Sequence, residues 1–122
     1  SHWNQAVLLK VKGRLVPEAL ERAVAALQAR HDALRLRFVQ EAGAWQQVAD
    51  AAHTLPAPQT AVVRHETLGS LAGLKAACER IQSSLDIVKG PVWRVGHFET
   101  PDETRVLIAI HHLSVDGVSW RV

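Results

Sequence analysis

The sequence predicts an α+β domain in which helices pack on a mixed or antiparallel sheet. Two kinds of hydrophobic spacing, one typical of strands and one typical of helices, alternate along the chain in the order β-α-β-β-β-α-β-β. The composition is that of a globular protein, with 48% hydrophobic and 21% charged residues. The last predicted strand is almost continuously apolar from Val106 to Ile110, which is typical of a strand covered on both faces.

The first predicted elements are a strand and a helix. Residues 5–12 alternate, and Gly13 ends the strand. One face of this strand carries Val7, Leu9 and Val11. Pro17 fits the first turn of a helix because its fixed φ suits that turn and its missing N–H is not needed there. The apolar stripe of this helix recurs at Leu20, Val24, Leu27 and His31.

A hairpin and a short strand follow. Apolar side chains return to a spacing of two over residues 34–39, Ala42-Gly43 predicts a turn, and residues 45–49 form the second arm. Residues 50–60 contain two prolines and no periodicity, so we expect a loop there. A short strand is predicted around residues 61–65.

A second helix and a second hairpin complete the chain. Residues 70–85 predict the helix, and residues 92–99 and 104–112 predict two antiparallel strands after a turn at residues 89–91. The apolar stripe of the helix contains Leu71, Leu74, Cys78, Ile81 and Leu85. Cys78 is therefore interpreted as a core residue rather than a nucleophile.

Composition also bears on the partners and the compartment. The formal charge of +2 arises from 14 basic and 12 acidic residues without a dense basic cluster, so we expect no nucleic-acid partner. The single cysteine excludes an internal disulfide and favours a reducing cytoplasm. No apolar run has the length of a membrane span, so we expect no membrane partner. His53, His65 and His97 lack ligand-like spacing, so no metal site is predicted.

Chemistry is concentrated in the final residues, His111-His112-Leu113-Ser114-Val115-Asp116-Gly117. Histidine can accept and return a proton near neutral pH, which makes a strand-end histidine a natural general base. Adjacent strand residues point to opposite sides, so only one of the pair can face a given cavity. The alternation predicts that His112 shares its face with Ile110, and Asp116-Gly117 predicts a turn. Taken without the Asp-Gly spacing, the pair is most simply explained as two ordinary buried histidines.

With that spacing, the run resembles the His-His-x-x-x-Asp-Gly signature of the condensation-domain superfamily of nonribosomal peptide synthetases. Residues 29–38 resemble the family's Arg-His-Glu-x-Leu-Arg-x-x-Phe element, with Asp32 where Glu is commoner, and residues 2–9 resemble the first strand of epimerization domains. Condensation domains proper usually carry Trp before the Ser, whereas here Val118 precedes Ser119 and Trp120 follows it. Epimerization domains are therefore the most similar branch.

The resemblance implies a fold and an extent. The fold is the two-layer sandwich of chloramphenicol acetyltransferase, and residues 1–122 correspond to an incomplete N-terminal lobe. The absence of methionine and a chain that stops one turn into a predicted helix agree with an excerpt.

The resemblance also implies roles for individual residues. His112 is expected to be the catalytic histidine and His111 a structural neighbour. Asp116 is expected to pair with Arg30, or with Arg35 as second choice, because a buried carboxylate near a turn needs a charged partner. Gly117 leaves room for the substrate's arm.

The implied reaction interconverts the L and D configurations at the α-carbon of an aminoacyl or peptidyl thioester. The thioester is carried on the 4'-phosphopantetheine of a peptidyl carrier protein domain, so that domain and the remainder of the synthetase are the expected partners, with no cofactor bound directly. The fragment alone is expected to be inactive. Two alternatives stay open: a condensation domain that forms peptide bonds, and a non-catalytic relative that docks a carrier domain.

Overall fold

The computed structural model describes residues 4–31, 34, 36–49, 62–86, 88 and 90–111. The elements are β1 (Asn4–Val11), α1 (Pro17–Arg30), β2 (Leu36–Glu41), β3 (Ala44–Ala49), β4 (Val63–Thr67), α2 (Leu74–Ser83), β5 (Trp93–Glu99) and β6 (Thr104–His111). This order confirms the predicted succession of strands and helices. No helix in these ranges is long and apolar enough to cross a membrane.

Four strands form one sheet in the order β1-β6-β5-β4. β6 pairs antiparallel with β1 and with β5, whereas β4 pairs parallel with β5. The sheet is therefore mixed, and the α+β class is confirmed. β4 covers residues 63–67 rather than 61–65, because its pairing with β5 runs from Val63 opposite Val95 to Thr67 opposite Glu99.

β2 and β3 form a separate hairpin. Ala42 and Gly43 connect them with φ values of 51° and 80°. Both values lie in the left-handed region that a tight two-residue hairpin turn requires, and this confirms the predicted turn.

The sheet buries a different cluster on each face. The cluster between the sheet and α1 contains the buried side chains Val24, Leu34, Val62, Trp93, Val95, Val106 and Ile110. The cluster between the sheet and α2 contains Ala77, Ile81, Phe98 and Leu107. β6 contributes even-numbered residues to the first cluster and an odd-numbered residue to the second, so it is covered on both faces as predicted. The two helices lie on opposite faces of the sheet.

The predicted stripe of α1 is correct only in part. Val24 is buried, whereas Leu27 is 46% exposed. The line of contact follows Leu20 and Val24, which lie four residues apart and pack in the same cluster against the sheet. Leu27 lies to one side of that line, and His31 caps the helix, with its backbone N–H donating to the carbonyl of Leu27.

The second predicted helix divides into two parts. Leu71–Gly73 form a 3-10 turn, and the side chain of Ser70 accepts a hydrogen bond from the backbone N–H of Ala72. The α-helix itself starts at Leu74, and its fully buried residue is Ala77. The predicted stripe places Leu71 in one continuous helix. In the structure Leu71 precedes α2, and it is 40% exposed.

Gly96 allows α2 to lie close to β5. A Cβ atom added there would be 2.8 Å from Cζ of Phe98 and 3.3 Å from Cγ1 of Ile81. Both neighbours are buried in the cluster that faces α2, so neither has space to retreat. The absent side chain is what makes room for the Phe98 ring under the helix.

We expect Gly96→Ala to lower the free energy of unfolding by about 1–3 kcal/mol, because it overpacks this contact. Gly69→Ala is the matched control, since a Cβ at Gly69 would meet nothing within 4 Å and Gly69 does not need a positive φ. Urea unfolding of both variants checks the prediction. Equal losses in the two variants would mean that the space at Gly96 does not limit packing.

Candidate active site

The described part of the His-His-x-x-x-Asp-Gly motif is its first residue, His111, at the end of β6. Its backbone N–H donates to the carbonyl of Val92 at 2.7 Å, and it lies opposite Asn4 of β1. His111 follows Leu107 and Ala109 in the alternation of β6 and therefore lies on the α2 face. The end of β6 is therefore paired with backbone on both of its edges.

The other predicted motif residues lie outside the described residues. These are His112, Asp116 and Gly117, together with Arg35, the second choice for the partner of Asp116. Their predicted roles stay predictions.

Arg30, the predicted partner of Asp116, is the last residue of α1 and is exposed. Two contacts define the direction of this helix: Arg14 before it pairs with Glu99, and Glu21 within it binds His65, which is opposite His97. The helix therefore runs from the Thr104 end of β6 towards the His111 end. From Glu21 to Arg30 the helix advances about 13 Å, against about 16 Å along β6 from the level of His97 to His111.

α2 runs towards the same end of the sheet, where it meets Arg94 of β5. Arg94 is 1% exposed and lies opposite Ala109, two residues before His111 on the same face. Its Nη1 donates to Oγ of Ser84 at 2.6 Å, and Ser84 follows the last residue of α2. Burial lowers the pKa of Arg94 to about 10, with a smaller effect of the Arg64 charge, so the guanidinium remains protonated at neutral pH.

The ends of the two helices shape the electrostatics of this edge. Helix C-termini carry partial negative charge, and cations close to them are stabilised. Arg30 occupies the last turn of α1, and Arg94 reaches the residue that caps α2. The edge at which β6 ends therefore carries two guanidinium groups, the groups best suited to hold a carboxylate in two-point contact.

Arg94 is a residue of this edge that the sequence reasoning misses. A signal is present, because Arg94 is a charged residue within an otherwise apolar run from Val92 to Gly96. A charge at such a position is buried only when the fold supplies hydrogen bonds to it.

Cys78 packs against the cluster that faces α2, which confirms its interpretation as a core residue. Burial raises the pKa of its thiol, and the charge of Glu66 adds to this effect. The group is therefore a neutral thiol at neutral pH and a poor nucleophile.

The structure joins two histidines that lie far apart in the sequence. Nδ1 of His65 lies 2.8 Å from Nδ1 of His97, because parallel pairing of β4 and β5 places these residues opposite each other. This pair lies near the Thr104 end of the sheet, remote from His111. Within the described part of the chain, no group of three or more His, Cys, Asp and Glu side chains is placed to hold a metal ion.

Comparison with protein families gives a direct result. The family model described as "Condensation domain" matches residues 1–122. The chain belongs to the condensation-domain family. A linear gramicidin synthase protein from Brevibacillus parabrevis is 46% identical over 125 residues, which cover 99% of this chain and 2% of that protein. Tyrocidine synthase 2 from the same organism is 36% identical over 99% of the chain and 3% of its own length.

Solved structures show the same condensation-domain fold. The epimerization domain from the third module of tyrocidine synthetase B superposes with a TM-score of 0.82 and 36% identity, over 98% of this chain and 27% of that one. The condensation domain from Monacolin K polyketide synthase superposes with a TM-score of 0.73 and 22% identity, over 89% of this chain and 24% of that one. The family resemblance drawn from the histidine motif is therefore confirmed.

Proposed function

We propose that this condensation-family chain is part of an epimerization domain of a nonribosomal peptide synthetase. The observation that carries the proposal is the likeness to the tyrocidine epimerization domain, at a TM-score of 0.82 and 36% identity. The condensation domain from Monacolin K polyketide synthase shares 22% identity, which supports the common fold alone. The order Val118-Ser119-Trp120 points the same way, since condensation domains proper usually carry Trp before the Ser.

The proposed reaction removes the proton from the α-carbon of an aminoacyl or peptidyl thioester and returns it on either face. His112 is the proposed general base. The alternation in the sequence predicts that it shares the face of Ile110 and not that of His111. An imidazole exchanges protons near neutral pH without strong perturbation, as this step requires.

One histidine does not complete the reaction. The enolate that forms must be stabilised, and an acid and a base must act on opposite faces of the carbon. In epimerization domains a glutamate further along the chain is the second group, and no part of these residues matches its motif. The chain spans 27% of the tyrocidine epimerization domain that it matches, so we expect the remaining wall of the site in the rest of the synthetase.

The substrate carrier is the proposed partner. A thioester on the 4'-phosphopantetheine of a peptidyl carrier protein domain would pass Gly117, because a glycine has no side chain to obstruct the arm. No cofactor bound directly by this chain is part of the proposal.

Condensation is the second candidate, and the description of the matching family model favours it. In that reaction the same histidine would orient an acceptor amine, and a peptide bond would form without exchange of the α-proton. A non-catalytic relative that docks a carrier domain would show neither reaction.

Replacing His112 tests the base. In the synthetase that carries this chain, we expect His112→Ala to slow exchange of the α-proton into heavy water by at least about a hundredfold, because general-base catalysis is lost. Mass spectrometry of the carrier-bound substrate measures deuterium uptake. Carrier binding should be unchanged, since the variant removes a side chain from inside the site.

His65→Gln is the matched control, because it removes an imidazole at the other end of the sheet. We expect it to exchange the α-proton at the wild-type rate. Exchange that persists in His112→Ala would exclude His112 as the base, and absence of exchange in the unmodified synthetase would exclude epimerization itself.

The proposed pairing of Arg30 with Asp116 leads to a second prediction. We expect Arg30→Ala and Asp116→Ala each to destabilise the protein, and the double variant to lose about 0.5–3 kcal/mol less than the sum of the single variants. Chemical denaturation of the four proteins measures this coupling. Additive losses would show that the two residues are not partners.

A further inference from the structure

Four titratable side chains form a continuous chain of hydrogen bonds on the α1 face of the sheet. Oε2 of Glu21 lies 2.6 Å from Nε2 of His65, Nδ1 of His65 lies 2.8 Å from Nδ1 of His97, and Nε2 of His97 lies 2.7 Å from Oε1 of Glu99. The two rings are nearly perpendicular, with centroids 5.0 Å apart and an interplanar angle of 83°. All four nitrogen atoms of the two rings are therefore engaged.

The carboxylate at the inner end of this chain is ionised. Burial alone would raise the pKa of Glu99, but hydrogen bonds from Thr104 and His97 outweigh this effect. Arg14 adds a further hydrogen bond and its positive charge, and the pKa of Glu99 falls to about 2. At neutral pH this carboxylate can only accept hydrogen bonds.

The number of protons follows from the number of contacts. A carboxylate that is ionised, as carboxylates ordinarily are at neutral pH, has no proton to donate, so the protons of all three hydrogen bonds must come from the two imidazole rings. Two neutral rings carry two protons and leave one contact without a hydrogen. Two imidazolium rings carry four protons and place two hydrogens between the facing Nδ1 atoms. We infer that His65 and His97 form a proton-sharing pair, which holds three protons and one positive charge between the two rings.

The charges near the pair agree with this number. Glu21 and Glu99 contribute two negative charges, and Arg14, which pairs with Glu99, contributes one positive charge. One imidazolium brings the sum to zero, whereas none or two would leave a net charge beside a ring that is 2% exposed. An unbalanced charge at such a buried position is costly.

The other charged side chains on the described elements around the pair either have partners of their own or lie in solvent. On the neighbouring strands, Glu66 binds Arg80 of α2, and Arg105 binds Glu103. The remaining charged side chains of the adjacent elements are solvent-exposed: Lys10, Lys12, Glu18, Arg22 and Arg64.

The shared proton connects separate parts of the fold. Glu21 belongs to α1, His65 to the edge strand β4, and His97 to β5. A fourth proton would break the Nδ1 contact between β4 and β5, and loss of the third would leave one of the three bonds without a hydrogen. The pair therefore acts as an acid-sensitive clamp, by which we mean that it holds α1 and β4 to β5 while the two rings carry three protons. This conclusion does not depend on the proposed reaction.

Nitrogen-15 spectra of labelled histidine side chains in the wild-type chain test the proton count directly. At neutral pH we expect one imidazolium charge shared between His65 and His97, seen as nitrogen shifts between the neutral and charged limits. In His97→Gln the shifts of His65 should move to one of those limits. Two neutral rings or two charged rings in the wild type would overturn the inference, as would a His65 spectrum that the variant leaves unchanged.

A double-mutant cycle of His65→Gln and His97→Gln tests the clamp between about pH 5 and 8. At neutral pH we expect the coupling to change the unfolding equilibrium constant by at least about twofold, the lower limit for residues in contact. The coupling should disappear as the solution is acidified. A coupling that is zero at neutral pH, or that is independent of pH, would contradict the clamp.

Discussion

Strand β6 is the element on which the rest of this structure depends. It pairs with β1 along one edge and with β5 along the other, from Thr104 to His111. Its two faces contribute to two separate clusters, one under each helix. A shift in the register of β6 by one residue would turn each of its side chains to the opposite face of the sheet. Because β6 is paired along both edges, the face on which each of its side chains lies is fixed. The position of His111 on the α2 face follows from that constraint.

The connections that follow β1 and β4 bring two helices to the same end of the sheet. β1 ends at the level of Thr104, so α1 must return towards His111, and α2 returns in the same way after β4. Each helix then carries its negative C-terminal end towards the His111 end of β6, with Arg30 at one and Arg94 at the other. Gly96 lets the second helix pack closely enough for Phe98 to fill the space beneath it. The site's electrostatics is therefore a consequence of the β-α connections.

Local patterns in the sequence predicted the local structure. The apolar run of β6, Pro17 at the start of α1 and Ala42-Gly43 in the hairpin turn all act over a few residues, and the structure confirms each. The spacing of the histidine motif indicated the family, because it combines a strand end with a turn. The roles of its residues beyond His111 stay predictions. Features that depend on the pairing of distant strands could not be predicted from local patterns. His65 and His97 lie 32 positions apart, and only the parallel register of β4 and β5 brings their rings together. The exposure of Leu27 likewise depends on which line of α1 contacts the sheet, a choice that helical spacing alone leaves open.

The proposed epimerization would invert the configuration at the α-carbon of the carrier-bound substrate. The chirality of the aminoacyl group on the carrier domain, determined before and after incubation with the synthetase that contains this chain, measures that inversion. Starting from a pure L-aminoacyl thioester, we expect a mixture of L and D forms. An aminoacyl group that stays entirely L while a peptide bond forms with an acceptor would contradict the proposed epimerization and would assign the chain to condensation.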